Sequence, residues 1–234
     1  MTKRHPVSRR RKQVQGEDPD DLFIAKTLEF SGWARSNQTL ITVVVVVAVV
    51  LVAGWIYYGN YRESLTQQAG NELEQIHQTL ALQDMASAKD QLATFLQRFG
   101  NTPYADEARL LLGQIYLETG SPDQAVVVLE PLGSRPRSPL ELQAAALLAT
   151  AYEQEDRWED AVDLYLRIAD RADLDFQVRD ALAAAARLRA NHGDPAGAAQ
   201  LYERLLASMD QEDPLRGIFE MRLAEVRERA QKAA

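Results

Sequence analysis

An uninterrupted apolar run divides this chain into two parts. Residues 36–61 carry no charge, and the centre of this stretch, 39–58, reads TLITVVVVVAVVLVAGWIYY. About 20 apolar residues are enough to cross a hydrocarbon core of roughly 30 Å. Valine and isoleucine form poor helices in water, but in lipid the backbone has no hydrogen-bond partner outside its own helix. Trp55, Tyr57 and Tyr58 at one end are typical of headgroup depth. The pattern therefore predicts one transmembrane helix over 39–58.

A cleaved secretory signal is the alternative interpretation of this run. Such a signal has an apolar region of about 7 to 15 residues behind a short basic leader and before a small-residue cleavage site. Here the apolar run is longer, five acidic residues lie among the 38 residues before it, and no good cleavage site follows. The basic stretch 9–12 is similar to a twin-arginine signal, but the apolar run starts 27 residues later. We therefore favour an uncleaved anchor.

After the apolar run the pattern changes to amphipathic helices separated by turn signals. Residues 119–122 (TGSP) and 192–195 (HGDP) each read as a glycine that closes one helix, an N-cap residue, and a proline in the first turn of the next helix. These signals predict a helical domain over 60–234. Its helix pairs are predicted at about 62–100, 103–133, 139–172 and 175–209, with a closing helix over 214–232.

Small residues recur at a nearly fixed spacing within this domain. Four alanines are separated by 37, 36 and 37 residues, and a large side chain follows each of them four positions later. The alanines are Ala88, Ala125, Ala161 and Ala198, and the large residues are Leu92, Leu129, Tyr165 and Tyr202. A small residue lets two helices approach, and the large residue one turn later fills the groove between them. The spacing therefore indicates a repeated helical hairpin.

A second small residue precedes three of these alanines by 12 positions: Gly113, Ala149 and Ala186. The series resembles the tetratricopeptide repeat, whose period is 34 and whose helix pairs stack into a superhelix. The match is clear in the second and third repeats, whereas Arg189 replaces an aromatic residue in the fourth and Ile76 departs from the pattern in the first. A coiled coil is disfavoured because Gly and Pro interrupt any heptad. The predicted fold is all-α: a single transmembrane helix, then a tetratricopeptide-like α-solenoid of about four pairs and a capping helix.

Charge and composition narrow the functional classes. Residues 59–234 carry 18 Lys and Arg against 29 Asp and Glu. Because this part of the chain is negatively charged, it repels the phosphate backbone of nucleic acids, and we do not expect it to bind them. The chain has no cysteine, its three histidines are scattered, and we find no phosphate-binding loop, nucleophile elbow or dinucleotide fingerprint. We therefore expect neither an enzyme nor a small-molecule substrate, and no cofactor or metal ion.

The residues before the apolar run predict its orientation. Residues 1–38 contain eight Lys and Arg, whereas Arg62 is the single basic residue within 20 positions after the run. Residues 1–21 are polar and are predicted to be disordered, and a short amphipathic helix is predicted just before the span. The positive-inside bias places the N-terminus in the cytoplasm, so the repeat domain is expected on the periplasmic side of a cell inner membrane.

The resemblance to tetratricopeptide proteins also implies a binding surface. In that family the first helix of each pair lines the concave side. The corresponding residues here are Gln114, Leu117, Glu118, Thr150, Glu153, Gln154, Arg187 and Asn191. A mixed polar groove of this kind suits an extended peptide or a partner loop.

The leader ending in FSGWARSN (30–37), one span ending in GWIYY (54–58), and a helix that runs into degenerate repeats are together similar to the ancillary SecYEG translocon subunits. These are single-span inner-membrane proteins whose periplasmic tetratricopeptide domain associates with the translocon and with periplasmic chaperones. The resemblance implies a membrane-anchored scaffold for the translocon, chaperones or exported polypeptides. A coordinator of envelope assembly or cell division that uses the same repeat surface remains the alternative.

Overall fold

The computed structural model describes residues 37–233, and the chain divides into two units, residues 1–61 and 62–234. The polar tail and the short amphipathic helix predicted before the apolar run lie outside the described residues. All regular structure in the described part is helical. The helices are α1 (Gln38–Ala81), α2 (Met85–Phe99), α3 (Ala105–Glu118), α4 (Pro122–Gly133), α5 (Pro139–Gln154), α6 (Trp158–Arg171), α7 (Asp175–Asn191), α8 (Pro195–Ser208) and α9 (Arg216–Ala233).

The described part of the first unit is the N-terminal portion of α1. Apart from the partly buried Ile41, its apolar side chains are exposed, with Val50 at 64% and Trp55 at 82% of full exposure. The helix is long and apolar enough to cross a membrane. Gly59 lies within this helix.

In the second unit each helix from α2 onward packs against the next one along the chain. The residues of α1 that belong to this unit contribute Ala69, Leu73 and Ile76 to its buried hydrophobic core. Consecutive antiparallel helices joined by short turns are the arrangement expected of an α-solenoid. The all-helical repeat fold predicted by the periodicity is therefore confirmed.

Both Gly-containing turns place glycine and proline as predicted, but the Ser121 side chain makes no capping hydrogen bond in the first of them. Gly120 and Gly193 adopt the left-handed conformation, with φ of 71° and 83°, which glycine reaches without the steric cost that a Cβ imposes. In the second turn Asp194 accepts a hydrogen bond from the amide of Gly197 at 2.8 Å, and Pro195 opens α8. The joint before α6 instead places Asp156 in this conformation, with φ of 58°.

Helix α9 begins at Arg216, two residues later than the Pro214 start that the sequence predicts. The segment before it forms a tight turn because Asp213 accepts hydrogen bonds from the backbone amides of Leu215 and Arg216. Its side chain binds the Leu215 amide at 2.8 Å, and its carbonyl binds the Arg216 amide at 3.0 Å. These bonds fix a capping turn, and the α-helical pattern starts only after it.

The recurring alanines lie in the core, as expected of small residues between packed helices. Ala88, Ala125, Ala161 and Ala198 are all 0% exposed. Gly113 on α3 faces Leu129 on α4 so closely that a Cβ at Gly113 would overlap the leucine side chain. The small residue on one helix and the large residue on its partner therefore meet as the spacing predicted. Tyr165 departs from this pattern because it is only partly buried.

The buried residues form two clusters. The smaller one joins α1, α2 and α3 and is centred on Leu92, Phe95 and Phe99, each 0% exposed. The larger one extends from α3 and α4 to α9. Helix α3 contributes to both, through Leu112 to the smaller and Leu110 to the larger. A repeat array of this kind contacts mainly its neighbours, so its stability is distributed along the chain.

Candidate interaction grooves of the repeat domain

A groove of about 540 Å³ lies between α5 and α7, and we call it the central groove. Its floor is apolar and includes Leu142, Ile168 and Ala181. Phe176, which also lines it, is 51% exposed. The lining also includes polar residues, namely Gln143, Gln177 and Asp180. Apolar surface for side chains beside amides that both donate and accept hydrogen bonds suits an extended polypeptide.

A second groove of about 580 Å³ lies between α7 and α9, and we call it the terminal groove. Ile218 and Phe219 of α9 supply apolar surface, and Arg187 and Arg222 supply positive charge. Both grooves are lined by the same residues of α7, Asp180 and Ala184. Helix α7 therefore forms a wall of each groove.

An ion pair links α5 and α7 beside these grooves. The Arg187 guanidinium lies 2.6 Å from Oε2 of Glu153, and the Tyr165 hydroxyl donates to Oε1 of the same carboxylate at 2.8 Å. Arg187 and Glu153 are 34 residues apart in the sequence. Because both oxygens of Glu153 accept from other helices, the ion pair fixes the spacing of neighbouring repeats on this face.

Of the eight predicted groove residues, Arg187 and Asn191 line the terminal groove, and the other six line neither groove. Glu153 and Arg187 are in direct contact, and Thr150 lies one turn from Glu153 on α5 with its hydroxyl bonded to the Ala146 carbonyl at 3.0 Å. Asn191 lines the terminal groove together with Arg187, and Gln154 is exposed at the end of α5.

The remaining three predicted residues lie on α3 and line neither groove. Gln114 donates to Glu118 at 2.9 Å within the helix. Leu117 is half-buried and packs against the larger core cluster. Gln114 and Glu118 therefore bond to each other within α3, and Leu117 contributes to the core.

The sequence prediction missed the N-terminal halves of α5 and α7. Gln143 and Ala146 precede the predicted Thr150, and Gln177 and Asp180 precede the predicted Arg187, along the same helix faces. These residues precede the predicted ones by one to three successive intervals of three or four positions, and residues at such intervals share a helix face. No sequence pattern identified Phe176 as a groove residue, because an aromatic residue in the first turn of a helix is equally typical of the buried core.

The described residues offer no obvious catalytic or metal chemistry. Across residues 37–233 no group of three His, Asp or Glu side chains is arranged to hold a metal ion. The perturbed titrating groups beside the grooves are tyrosines. Burial, together with the Glu153 carboxylate, raises the pKa of Tyr165 well above its usual value, against a smaller opposing contribution from the Thr150 hydroxyl. Burial likewise raises the pKa of Tyr152 and Tyr202.

The raised tyrosine pKa predicts a loss of stability at alkaline pH. A phenol with a higher pKa in the folded state stabilises the fold fully below its unfolded pKa of about 10, and this contribution is lost as the pH rises above that value. Each such phenol adds up to about 1.4 kcal/mol per pH unit to the slope. We therefore expect Tyr165→Phe to make the decline of unfolding free energy above pH 10 less steep, as measured by urea titration at successive pH values. An unchanged slope would show that Tyr165 titrates normally.

Comparison with solved structures supports the repeat fold. A tetratricopeptide repeat protein from Parabacteroides merdae ATCC 43184 matches with a TM-score of 0.58 and 16% identity over 70% of this chain and 61% of that one. The alignment thus spans less than two thirds of that protein. The TPR-like repeats of a Podosopora anserina kinesin light chain match with a TM-score of 0.55 and 19% identity over 70% of this chain and 88% of that one. No curated protein matches this chain.

A family model described as a tetratricopeptide repeat-like domain matches residues 32–180. The match includes the exposed apolar helix as well as the repeats as far as α7. Repeats of this kind are protein–protein interaction scaffolds and are typically not enzymes, because their stacked helix pairs present extended binding surfaces. The chain belongs to the tetratricopeptide repeat-like domain family.

Proposed function

We propose that this protein is a membrane-anchored scaffold that receives newly exported polypeptides beside the translocon and contacts periplasmic chaperones there. The observation that carries the proposal is an exposed apolar helix joined directly to repeats with an apolar, amide-lined groove. The specific role at the translocon follows from the similarity of the leader, span and repeats to the ancillary SecYEG subunits. The scaffold role itself rests on the family.

Three features support the anchor. The valine-rich part of α1 has all its apolar side chains exposed, which in water would present a large unfavourable surface. Its aromatic residues cluster at one end, as expected at headgroup depth. The basic residues precede the span, so the N-terminus is cytoplasmic and the repeat domain is periplasmic in this proposal.

The central groove supports binding of an extended polypeptide. A newly exported chain is unfolded, so it offers apolar side chains and unpaired backbone amides and carbonyls. The apolar floor around Leu142 and Ile168 contacts the apolar side chains of such a chain. The side-chain amides of Gln143 and Gln177 form hydrogen bonds with its backbone amides and carbonyls. Such contacts are weak one at a time. An anchor raises the effective concentration of membrane partners to the millimolar range, so weak contacts suffice.

The anchor is tested by extracting membranes that contain the full chain with alkaline carbonate and by protease treatment of intact and opened cell envelopes. We expect the protein to remain in the membrane pellet and the repeat domain to be cleaved only after the outer barrier is opened. Release by carbonate would contradict the span, and cleavage from the cytoplasmic side would contradict the orientation.

The partner is tested by crosslinking in intact cells followed by purification of the full chain. We expect translocon subunits, chaperones and exported polypeptides, and we expect Ala146→Arg to reduce their recovery because the new side chain occupies the central groove. Ala207→Arg makes the same change at an exposed position of α8 outside both grooves and should not reduce recovery. Recovery of division or envelope-assembly proteins alone would favour that alternative role.

A further inference from the structure

Four arginines line a third groove, of about 430 Å³, that is separate from the central and terminal grooves. Arg135 and Arg137 lie in the joint between α4 and α5, and Arg167 and Arg171 lie on the C-terminal half of α6. Asp170 also lines the groove, and its carboxylate lies 2.6 Å from Arg204 of α8. The lining residues carry a net charge of +3 on a domain whose overall charge is strongly negative. We call this cluster the arginine groove.

The arginine groove differs from the rest of the repeat domain in its ion pairing. The described chain contains fifteen arginines between residues 98 and 229, and eleven of them form an ion pair with a carboxylate. The four without such a pair in the described chain are the four of this groove. Arg167 donates instead to the Ser134 carbonyl at 3.0 Å. Within residues 37–233, four guanidinium groups without a carboxylate partner therefore lie in one groove, in a domain that has an excess of carboxylates.

Gathering like charges without counter-ions is unfavourable because the groups repel one another. A carboxylate-bearing ligand removes this repulsion and forms charge-assisted hydrogen bonds with planar guanidinium groups, often two at a time. Glu141 lies near Arg137 in the sequence, but its carboxylate caps the start of α5. It accepts hydrogen bonds from the backbone amides of Arg137 and Ser138. Among the described residues, no carboxylate is therefore paired with these arginines, and Arg167 donates only to a backbone carbonyl.

The spacing of the arginines fits an extended chain. Arg167 and Arg171 are four residues apart on one helix, which places their Cβ atoms about 5–6 Å apart. Alternate side chains of an extended peptide lie on the same side about 6.5–7 Å apart. Two acidic residues separated by one other residue thus match two guanidinium groups one helical turn apart. The buried Pro136 between Arg135 and Arg137 restricts the backbone of the opposite wall.

We propose that the arginine groove binds an acidic, extended segment of a partner protein in which carboxylates alternate with small polar residues. This second surface is independent of the membrane anchor and of the partner in the central groove. It gives the scaffold two chemically different binding surfaces, one apolar with amides and one cationic. Binding at the arginine groove is expected to weaken steeply with salt, because exposed charges are screened over about 8 Å at physiological ionic strength.

The test uses the full chain in nanodiscs of phosphatidylcholine and a fluorescein-labelled Glu-Ser-Glu-Ser-Glu-Ser peptide, with anisotropy as the readout. We expect saturable binding that weakens with added salt and is absent for the peptide with Gln in place of Glu. The double variant Arg135→Gln with Arg171→Gln should bind about tenfold more weakly or worse. Lys89→Gln with Lys232→Gln removes the same charge elsewhere and should leave the affinity unchanged.

Two results would overturn the proposal. Equal weakening in both double variants would show that the peptide responds to overall charge and not to this groove. Binding of inorganic phosphate or of phosphatidylglycerol vesicles at the groove, without binding of the acidic peptide, would assign it to a phosphate group. Because the substituted residues and the peptide lie outside the central groove and the span, loss of peptide binding leaves the proposed anchored scaffold unaffected.

Discussion

Gly133→Ala is expected to destabilise the repeat domain by about 3 kcal/mol, although alanine normally favours a helix over glycine by about 1 kcal/mol. Gly133 ends α4 where it crosses the first half of α5. A Cβ at this position would lie 2.8 Å from the carbonyl carbon of Ala144 and from the amide nitrogen of Ala145. These are backbone atoms of a buried helix, so they cannot rotate away. The substitution therefore forces α4 and α5 apart.

Urea unfolding of the full chain in detergent, followed by tryptophan fluorescence, measures this effect. Gly217→Ala is the matched control, because Gly217 also lies in a helix but has no atom within 4 Å of the position a Cβ would take. The control should leave stability unchanged or raise it slightly. If both variants proved equally stable, α4 and α5 would not cross at the observed distance.

Phe95→Ala is expected to remove about 3–5 kcal/mol, and its effect is expected to be local. The Phe95 side chain is 0% exposed, and its ring lies 5.0 Å from that of Phe99. Both belong to the smaller core cluster of α1, α2 and α3. Because the larger cluster has its own buried residues from α3 and α4 onward, α5 to α9 should remain folded when the first pair opens.

Hydrogen exchange followed by mass spectrometry distinguishes local from global unfolding. We expect amides of α2 to exchange much faster in the variant, while amides of α7 and α8 keep their protection. Leu82→Ala serves as the control, since this leucine lies between α1 and α2 and is 82% exposed. Faster exchange throughout α7 and α8 as well would show that the repeats unfold as one cooperative unit.

The two kinds of surface give these stability predictions a functional meaning. The central and terminal grooves depend on the positions of α5, α7 and α9, whereas the arginine groove depends on the α4–α5 joint and on α6. Displacement of α4 from α5 by Gly133→Ala is therefore expected to disturb the arginine groove directly. Local opening of the first pair in Phe95→Ala should leave all three grooves intact.

Much of the fold was predictable because its signals are local or periodic. Gly193, Asp194 and Pro195 adopt the turn, cap and first-turn roles expected of them, since each role depends on the conformational preferences of one residue and its near neighbours. The recurring alanines are buried as predicted, because a helix crossing needs a small residue once per repeat. The start of α9 was misplaced because the Asp213 side chain adds a turn that periodicity does not reveal.

The candidate sites were predicted less completely. Of the predicted positions, Arg187 and Asn191 on α7 line the terminal groove, whereas the predicted positions on α5 line neither groove. Phe176 was missed because an aromatic residue near the start of a helix is as typical of the buried core as of a binding groove. The arginine groove was not anticipated, because Arg135 and Arg167 are more than 30 residues apart and each appears in the sequence as an ordinary surface charge.

The sequence by itself determined the apolar helix, the number and order of the repeat helices, their turns, and the small residues at their crossings. Those features depend on hydrophobic periodicity and backbone preference, which act over a few residues. Only the tertiary structure decided that Glu153 joins Arg187 and Tyr165 and that the core divides into two clusters. It also decided that four arginines line one groove with no carboxylate partner among the described residues. These contacts depend on the crossing angles of the helices and on the paths of the loops. Both bring together residues that are far apart in the sequence, so no local sequence pattern predicts the contacts.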